Sequence, residues 1–141
     1  MRLKKDSGIY SLVIKLDREQ KIKIGNLGVI NFPKGFYFYT GSALNGLTKR
    51  IERHRRRQKK LFWHIDYLLN SKDAKIFHVI AIKTDKRLEC HLNQLVSKLE
   101  NAKIVAEGFG CSDCDCETHL FYFDEETLMR ILEDTIKRLS S

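Results

Sequence analysis

The sequence predicts a single α+β domain, a small and mostly antiparallel β-sheet flanked by helices. β-branched and aromatic runs dominate the first forty or so residues. The apolar period then shifts from two to about 3.6 residues. A length of 141 residues suits one hydrophobic core and leaves no room for a second. The expected domain spans 1–141, with its core motifs in 8–99 and a C-terminal extension over 100–141.

The elements follow in order. Gly8 to Leu16 is β-branched and aromatic, bounded by Ser7 and Asp17, and reads as a strand. Lys21-Ile-Lys-Ile alternates with period 2, and Gly25-Asn26-Leu27-Gly28 supplies turn chemistry before Val29-Ile-Asn-Phe32. An added β-hairpin is expected there. Phe36 to Thr40 is a further aromatic strand, opened by Pro33-Lys34-Gly35 and closed by Gly41-Ser42. Leu47 and Ile51 then mark a helix running to about Gln58, and Phe62 to Leu69 a second. Lys75 to Lys83 is apolar enough to predict a central strand, and Leu88, Leu92, Leu95, Val96 and Leu99 give the spacing of a third helix. Lys103 to Ala106, a Gly/Cys-rich loop, the strand His119 to Phe123 and a last helix complete the chain. Leu128, Ile131, Leu132 and Leu139 are expected to form that helix's buried stripe, with Asp124, Glu125 and Glu126 at its start and Lys137 and Arg138 at its end, as the macrodipole favours.

Apolar residues make up 43% and charged residues 31%, with a single proline, which excludes a disordered or low-complexity chain. No apolar run approaches the ~20 residues of a membrane helix, and Met1 to Asp6 leads into an alternating segment rather than a signal-peptide block. A cytoplasmic protein with no membrane partner is expected, its four cysteines reduced or metal-bound.

The formal charge of +8 is concentrated. Lys49, Arg50, Arg53, Arg55, Arg56, Arg57, Lys59 and Lys60 stand against Glu52 alone between positions 49 and 60. A patch of one sign and this density is the footprint of a polyanion, whereas a merely solvating face would intersperse its signs. DNA is the expected partner, with RNA not excluded.

Gly8-Ile9-Tyr10 and Tyr39-Thr40-Gly41 are followed by Leu47, Arg50 and His54, with Glu89 further on. In this order the set resembles the GIY-YIG nuclease superfamily. The segment Gly108 to Phe123, Cys-rich and ending in His-Leu-Phe-Tyr-Phe, resembles a small branch of it found alone or fused to DNA-repair enzymes. The resemblance implies a metal-dependent endonuclease hydrolysing phosphodiester bonds of DNA in repair or recombination, with one Mg²⁺ or Mn²⁺. It implies Tyr10, Tyr39, Arg50 and His54 as catalytic residues, Tyr10 activating the nucleophilic water, and Glu89 as the metal ligand. The residues themselves fit such chemistry. Offsets of three, four and seven place Leu47, Arg50, Ile51 and His54 on one side of a helix, Arg50 and His54 at its edge. A guanidinium binds phosphate bidentately, and Mg²⁺ takes only one or two carboxylates. Read alone, Tyr10 and Tyr39 are equally packed strand aromatics, Arg50 one more arginine of a basic run, and Glu89 a first-turn glutamate favoured by the helix dipole.

Three departures from the family pattern stand out. The stretch from Tyr10 to Tyr39 is long enough to hold the extra β element, Thr40 replaces the usual isoleucine, and Ser42 stands where some relatives carry lysine. A nucleic-acid-binding module that has lost catalysis is therefore an alternative. A Cys/His metal-binding protein is another. Cys111, Cys114, Cys116 and His119 form C-x2-C-x-C-x2-H, with Cys90 as an outlying partner. Zinc is not the expected cofactor, because zinc signatures usually pair two separated knuckles and here the ligands crowd one loop. Structural metal, redox chemistry and unligated thiols stay open, and His119 could instead line the catalytic cleft. His64 and Asp66 could likewise touch nucleic acid or belong to an amphipathic packing helix.

Overall fold

The computed structural model describes residues 6–111 and 114–140. Its main sheet has five strands in the order β5-β1-β4-β7-β6, every neighbouring pair antiparallel. These are β1 (Gly8–Leu16), β4 (Gly35–Ala43), β5 (Ala74–Lys83), β6 (Lys103–Ile104) and β7 (Leu120–Phe123). The expected hairpin forms from β2 (Gln20–Lys23) and β3 (Val29–Phe32), which pair with each other as a separate two-stranded sheet. Four helices flank the strands: α1 (Leu47–Arg55), α2 (His64–Leu69), α3 (Glu89–Ser97) and α4 (Glu125–Ser140). The protein is thus the α+β domain that its sequence patterning predicts.

Two layers of helix cover the sheet. Tyr10, Leu12, Ile14 and Leu16 alternate onto one face, join Tyr37 and Tyr39 of β4, and are sealed by Leu47 of α1 and Ile65, Leu68 and Leu69 of α2. The opposite face buries Val13 and Phe36 against Leu128 of α4, and Phe121 and Phe123 against Val96 of α3. Each fully buried Leu, Ile or Phe among them contributes about 1.5–3 kcal/mol by leaving water.

Both motif glycines have a steric reason. A Cβ on Gly8 would lie 2.2 Å from the Ile82 carbonyl oxygen and 2.8 Å from Leu47 Cδ2. One on Gly41 would lie 2.6 Å from the Tyr10 hydroxyl, which the β1–β4 register sets directly opposite. Side chains at these positions would push apart β1, β5 and α1, or displace the Tyr10 ring.

The structure corrects three expectations. The apolar run of β5 is an edge strand, paired among the described residues with β1 alone, and exposes Phe77, Ile80 and Ile82. Apolarity alone did not fix its place, because the sheet grew from β4 towards β7 and β6 on the other side. α1 ends at Arg55 rather than near Gln58, where Arg56 takes an extended conformation. On α4 only the first turns pack: Leu128 is buried and Ile131 half-buried, while Leu132 and Leu139 are exposed, as are Met129 and Ile136. No described helix is long and apolar enough to cross a membrane.

Candidate active site and adjoining cysteine cluster

The site begins where β7 stops. On β4, β7 pairs with Phe36–Tyr39 and goes no further, so the next residues of β4 turn that edge to other groups. Thr40 N–H donates to the His119 carbonyl at 3.1 Å, and the edge at Thr40–Ser42 receives groups from α1, from α3 and from the loop before β7.

Tyr10 and Tyr39 share one face of neighbouring strands with ring centroids 6.4 Å apart. His54 of α1 completes a triangle, 5.5 Å from the Tyr10 ring and 6.2 Å from that of Tyr39. The Tyr10 hydroxyl lies 2.8 Å from His54 Nε2. The sequence placed His54 at the margin of α1; it is in fact buried, at 2% exposure, beside Tyr10 at 1%. Burial pushes the His54 imidazole down to about 4, and that of Tyr10 pushes its phenol up to about 12 although the Arg50 cation opposes the rise. Burial also raises Tyr39 well above an ordinary phenol. Near neutral pH, His54 is therefore a neutral acceptor and Tyr10 the donor to it. The other His54 nitrogen, Nδ1, is buried with no hydrogen-bond partner among the described residues.

Arg50 and Glu89 meet on Ser42. Arg50 Nη1 donates to the Ser42 carbonyl at 3.0 Å, and the Ser42 hydroxyl donates to Glu89 Oε1. The other Glu89 oxygen accepts from His119 Nδ1 at 3.0 Å. Burial raises the Glu89 carboxyl, but the hydrogen bonds from His119 and Ser42 outweigh it and leave the group below its ordinary range. Desolvation would lower His119, yet its bonds to Glu89, Cys114 and Thr40 carry it up to about 10. Ser42, read in the sequence as a strand end and as a departure from the family's lysine, is thus the link between guanidinium and carboxylate.

Trp63 was also missed. The guanidinium carbons of Arg50 and Arg53 both lie 4.4 Å from its ring centroid, and the His54 ring sits 6.0 Å from it. One indole therefore orients both arginines through cation–π contact. Asp66, fully buried, holds Arg53 through two hydrogen bonds of 2.9 Å and accepts the backbone N–H groups of Phe62 and Trp63. Desolvation raises Asp66, but these bonds keep it below its ordinary value, so it is charged and paired. His64 accepts from the Gly110 N–H at Nδ1. The packing reading of the α2 pair is the one that the geometry carries.

The basic segment divides in two. Arg53 serves Asp66, Arg57 donates to the carbonyls of Leu69, Ser71 and Ala74, and Lys59 Nζ donates to those of Arg53, His54 and Arg56, closing the end of α1. Lys49, Arg50, Arg53 and Arg56 line a groove of about 550 Å³ that also borders Asp6, Asn45 and Gly46. Arg55 and Lys60 are exposed outside it.

Next to Glu89, Cys90 meets Cys114, Cys116 and His119, with the ligand atoms of all four within 4.8 Å of one another. This cluster can hold a metal ion. Cys111, the first cysteine of the loop motif, is outside it and donates to the Phe109 carbonyl at 3.5 Å. All four cysteines are free thiols. His119 thus touches both the cluster and the Glu89 carboxylate.

No curated protein and no solved structure matches the chain. A family model does match, over residues 9–141, a stretch that holds Tyr10, Arg50, Glu89 and the whole cysteine cluster. The chain therefore belongs to the family described as Domain of unknown function DUF123.

Proposed function

We propose that this protein is a metal-dependent DNA endonuclease of the GIY-YIG type, acting in repair or recombination. The observation that carries the proposal is the convergence of Arg50 and Glu89 on Ser42, beside the Tyr10–His54 hydrogen bond and at the end of the basic groove. Those are the parts that phosphodiester hydrolysis asks for: a cation at the phosphate, a carboxylate for a metal, and a proton acceptor for water.

A single carboxylate is a fitting ligand for Mg²⁺ or Mn²⁺. The Glu89 side chain keeps 29% exposure, and each of its oxygens has accepted one hydrogen bond and retains a lone pair. Such an ion keeps several waters and needs few protein ligands. When bound it would supply Lewis acidity and make a bound water more acidic.

The chain's own residues supply the rest. Arg50 would turn from the Ser42 carbonyl to a phosphate oxygen, kept in plane by Trp63, and offset the charge that develops on phosphorus. Its withdrawal would uncover the Tyr10 oxygen. Water attacks phosphorus and loses a proton to that oxygen as Tyr10 passes its own proton to His54 Nε2. The P–O bond to the leaving sugar oxygen breaks, and that alkoxide takes a proton from solvent. Lys49 and Arg56, free of the structural duties that occupy Arg57 and Lys59, would hold the flanking phosphates.

Labelled duplex, flapped and branched DNA incubated with and without Mg²⁺ or Mn²⁺ tests the reading. Strand cutting only with metal is expected, with Arg50→Ala and Glu89→Gln each losing about 10²-fold or more in rate. Equal cutting by wild type and both variants would remove these residues from any mechanism. Salt-sensitive binding with no cutting under any metal would favour the binding-module alternative.

A further inference from the structure

Phosphodiester chemistry has no use for the cysteine cluster. Cys114, Cys116 and His119 come from the segment before β7 and Cys90 from the first turn of α3, yet their ligand atoms all lie within 4.8 Å of one another. Four donors bound to one tetrahedral ion at about 2.0–2.3 Å would stand roughly 3.5–3.8 Å apart. Contraction of about an ångström therefore completes the cage, which thiol rotamers can supply.

His119 is already set as a ligand. Its Nδ1 faces two acceptors, the Thr40 carbonyl at 3.1 Å and Glu89 Oε2 at 3.0 Å, so the ring proton belongs on Nδ1. Nε2 then faces the thiols, 3.0 Å from Cys114 Sγ, and the proton that it carries in the metal-free ring leaves to solvent when an ion takes its place. A histidine whose second nitrogen donates to a carboxylate or carbonyl is fixed in tautomer and made a stronger ligand. The ring is fully buried, so this orientation is held by packing as well as by hydrogen bonds.

We propose that Cys90, Cys114, Cys116 and His119 bind one structural zinc ion and that Cys111 stays outside the shell. Three thiolates and an imidazole form a soft, closed, four-coordinate set, which suits Zn²⁺ and not the oxygen-seeking Mg²⁺. Each thiol gives up its proton to solvent on binding, and the loaded unit carries one net negative charge. The ion fastens the start of α3 to the loop before β7, and His119 extends that bracing to Glu89. Zinc here is separate from any ion at Glu89, and the proposal stands whether or not the chain cuts DNA.

The test is elemental analysis of the full chain purified without chelator. About one zinc per chain is expected, falling about tenfold or more in Cys90→Ser, Cys114→Ser and Cys116→Ser and unchanged in Cys111→Ser. For any variant that fails to fold, the wild-type chain is stripped and refilled with Co²⁺. The visible bands of tetrahedral cobalt, with thiolate charge-transfer intensity for three sulfurs, are then expected. Iron in place of zinc, no stoichiometric metal together with no cobalt uptake, or zinc lost by Cys111→Ser but kept by Cys90→Ser would overturn the assignment. None of these readouts involves DNA, so failure of the nuclease reading leaves them intact.

Discussion

The Tyr10 hydroxyl and His54 Nε2 lie 2.8 Å apart with both residues almost wholly buried. The bond joins a strand to a helix across 44 positions of sequence, and it gives the phenol one defined route for its proton. Removing the hydroxyl therefore has two separable effects. Tyr10→Phe should leave His54 without a partner at either ring nitrogen and cost about 1–3 kcal/mol of stability. It should also lower any cleavage rate by about 10²-fold or more at temperatures where the variant is still folded. Thermal melts beside rate measurements check both. A rate loss that disappears when folded fractions are matched would reduce the bond to a packing role.

The same pair predicts a dependence on pH. Burial holds the folded-state value of His54 at about 4, below the roughly 6.5 of an unfolded histidine. Between those values the unfolded chain binds the extra proton, so stability falls as pH drops from about 6.5 to about 4 and is flat for this group above that window. Urea midpoints taken across the window should shift in wild type and lose that part of the shift in His54→Gln.

Arg50 and lysine should not be interchangeable. The guanidinium reaches the Ser42 carbonyl while lying over Trp63, and an ammonium has neither the planar face nor the fork. Arg50→Lys should thus stay close to the rate of Arg50→Ala, within about tenfold, and Trp63→Ala should lower the rate without changing charge. Full activity in Arg50→Lys would show that only a point charge is needed.

The basic segment should separate into anchors and readers. Asp66→Ala strands Arg53 and removes the acceptor for the Phe62 and Trp63 amides, so a loss of about 3–5 kcal/mol is expected in denaturant titrations. Lys49→Ala and Arg56→Ala should change stability little. Each should flatten the slope of log affinity for DNA against log salt by about one unit. A stable Asp66→Ala variant would contradict the anchor assignment.

Gly41→Ala is the smallest change that tests the motif geometry. Its methyl would meet the Tyr10 hydroxyl at 2.6 Å, so the ring must move and the bond to His54 must lengthen. Loss of a cleavage rate comparable to that of Tyr10→Phe, with stability lowered by about 1–3 kcal/mol, is the expected outcome.

The sequence exposed the strands because period-2 aromatic and β-branched runs need a pleated sheet, and β1 and the β2–β3 hairpin came out where the pattern put them, while β4 runs on through the expected stop at Gly41-Ser42 to Ala43. It also gathered Tyr10, Tyr39, Arg50, His54 and Glu89 by motif order alone. Neighbours across the sheet were not readable. Whether β5 lies at the centre or the edge depends on which strands pair with β4, and that is decided by contacts distant in sequence. Ser42, Trp63 and Asp66 act through partners 47, 9 to 13 and 13 positions away, which no local spacing encodes. Cys90 illustrates the same limit: the loop spacing favoured Cys111, while the fold delivers Cys90 to the other three donors.

The stretch after position 100 is no appendage to a self-sufficient front portion. β7 lies against Phe36–Tyr39 in the middle of the sheet, and His119 just before it holds the Glu89 carboxylate. A fragment cut off at residue 99 would bare an aromatic strand edge, an invitation to aggregation, and would release the acidic side chain from its clamp. Any minimal unit carved from this chain must therefore reach at least to Phe123, and a shorter piece that proved inactive would say nothing about the intact protein.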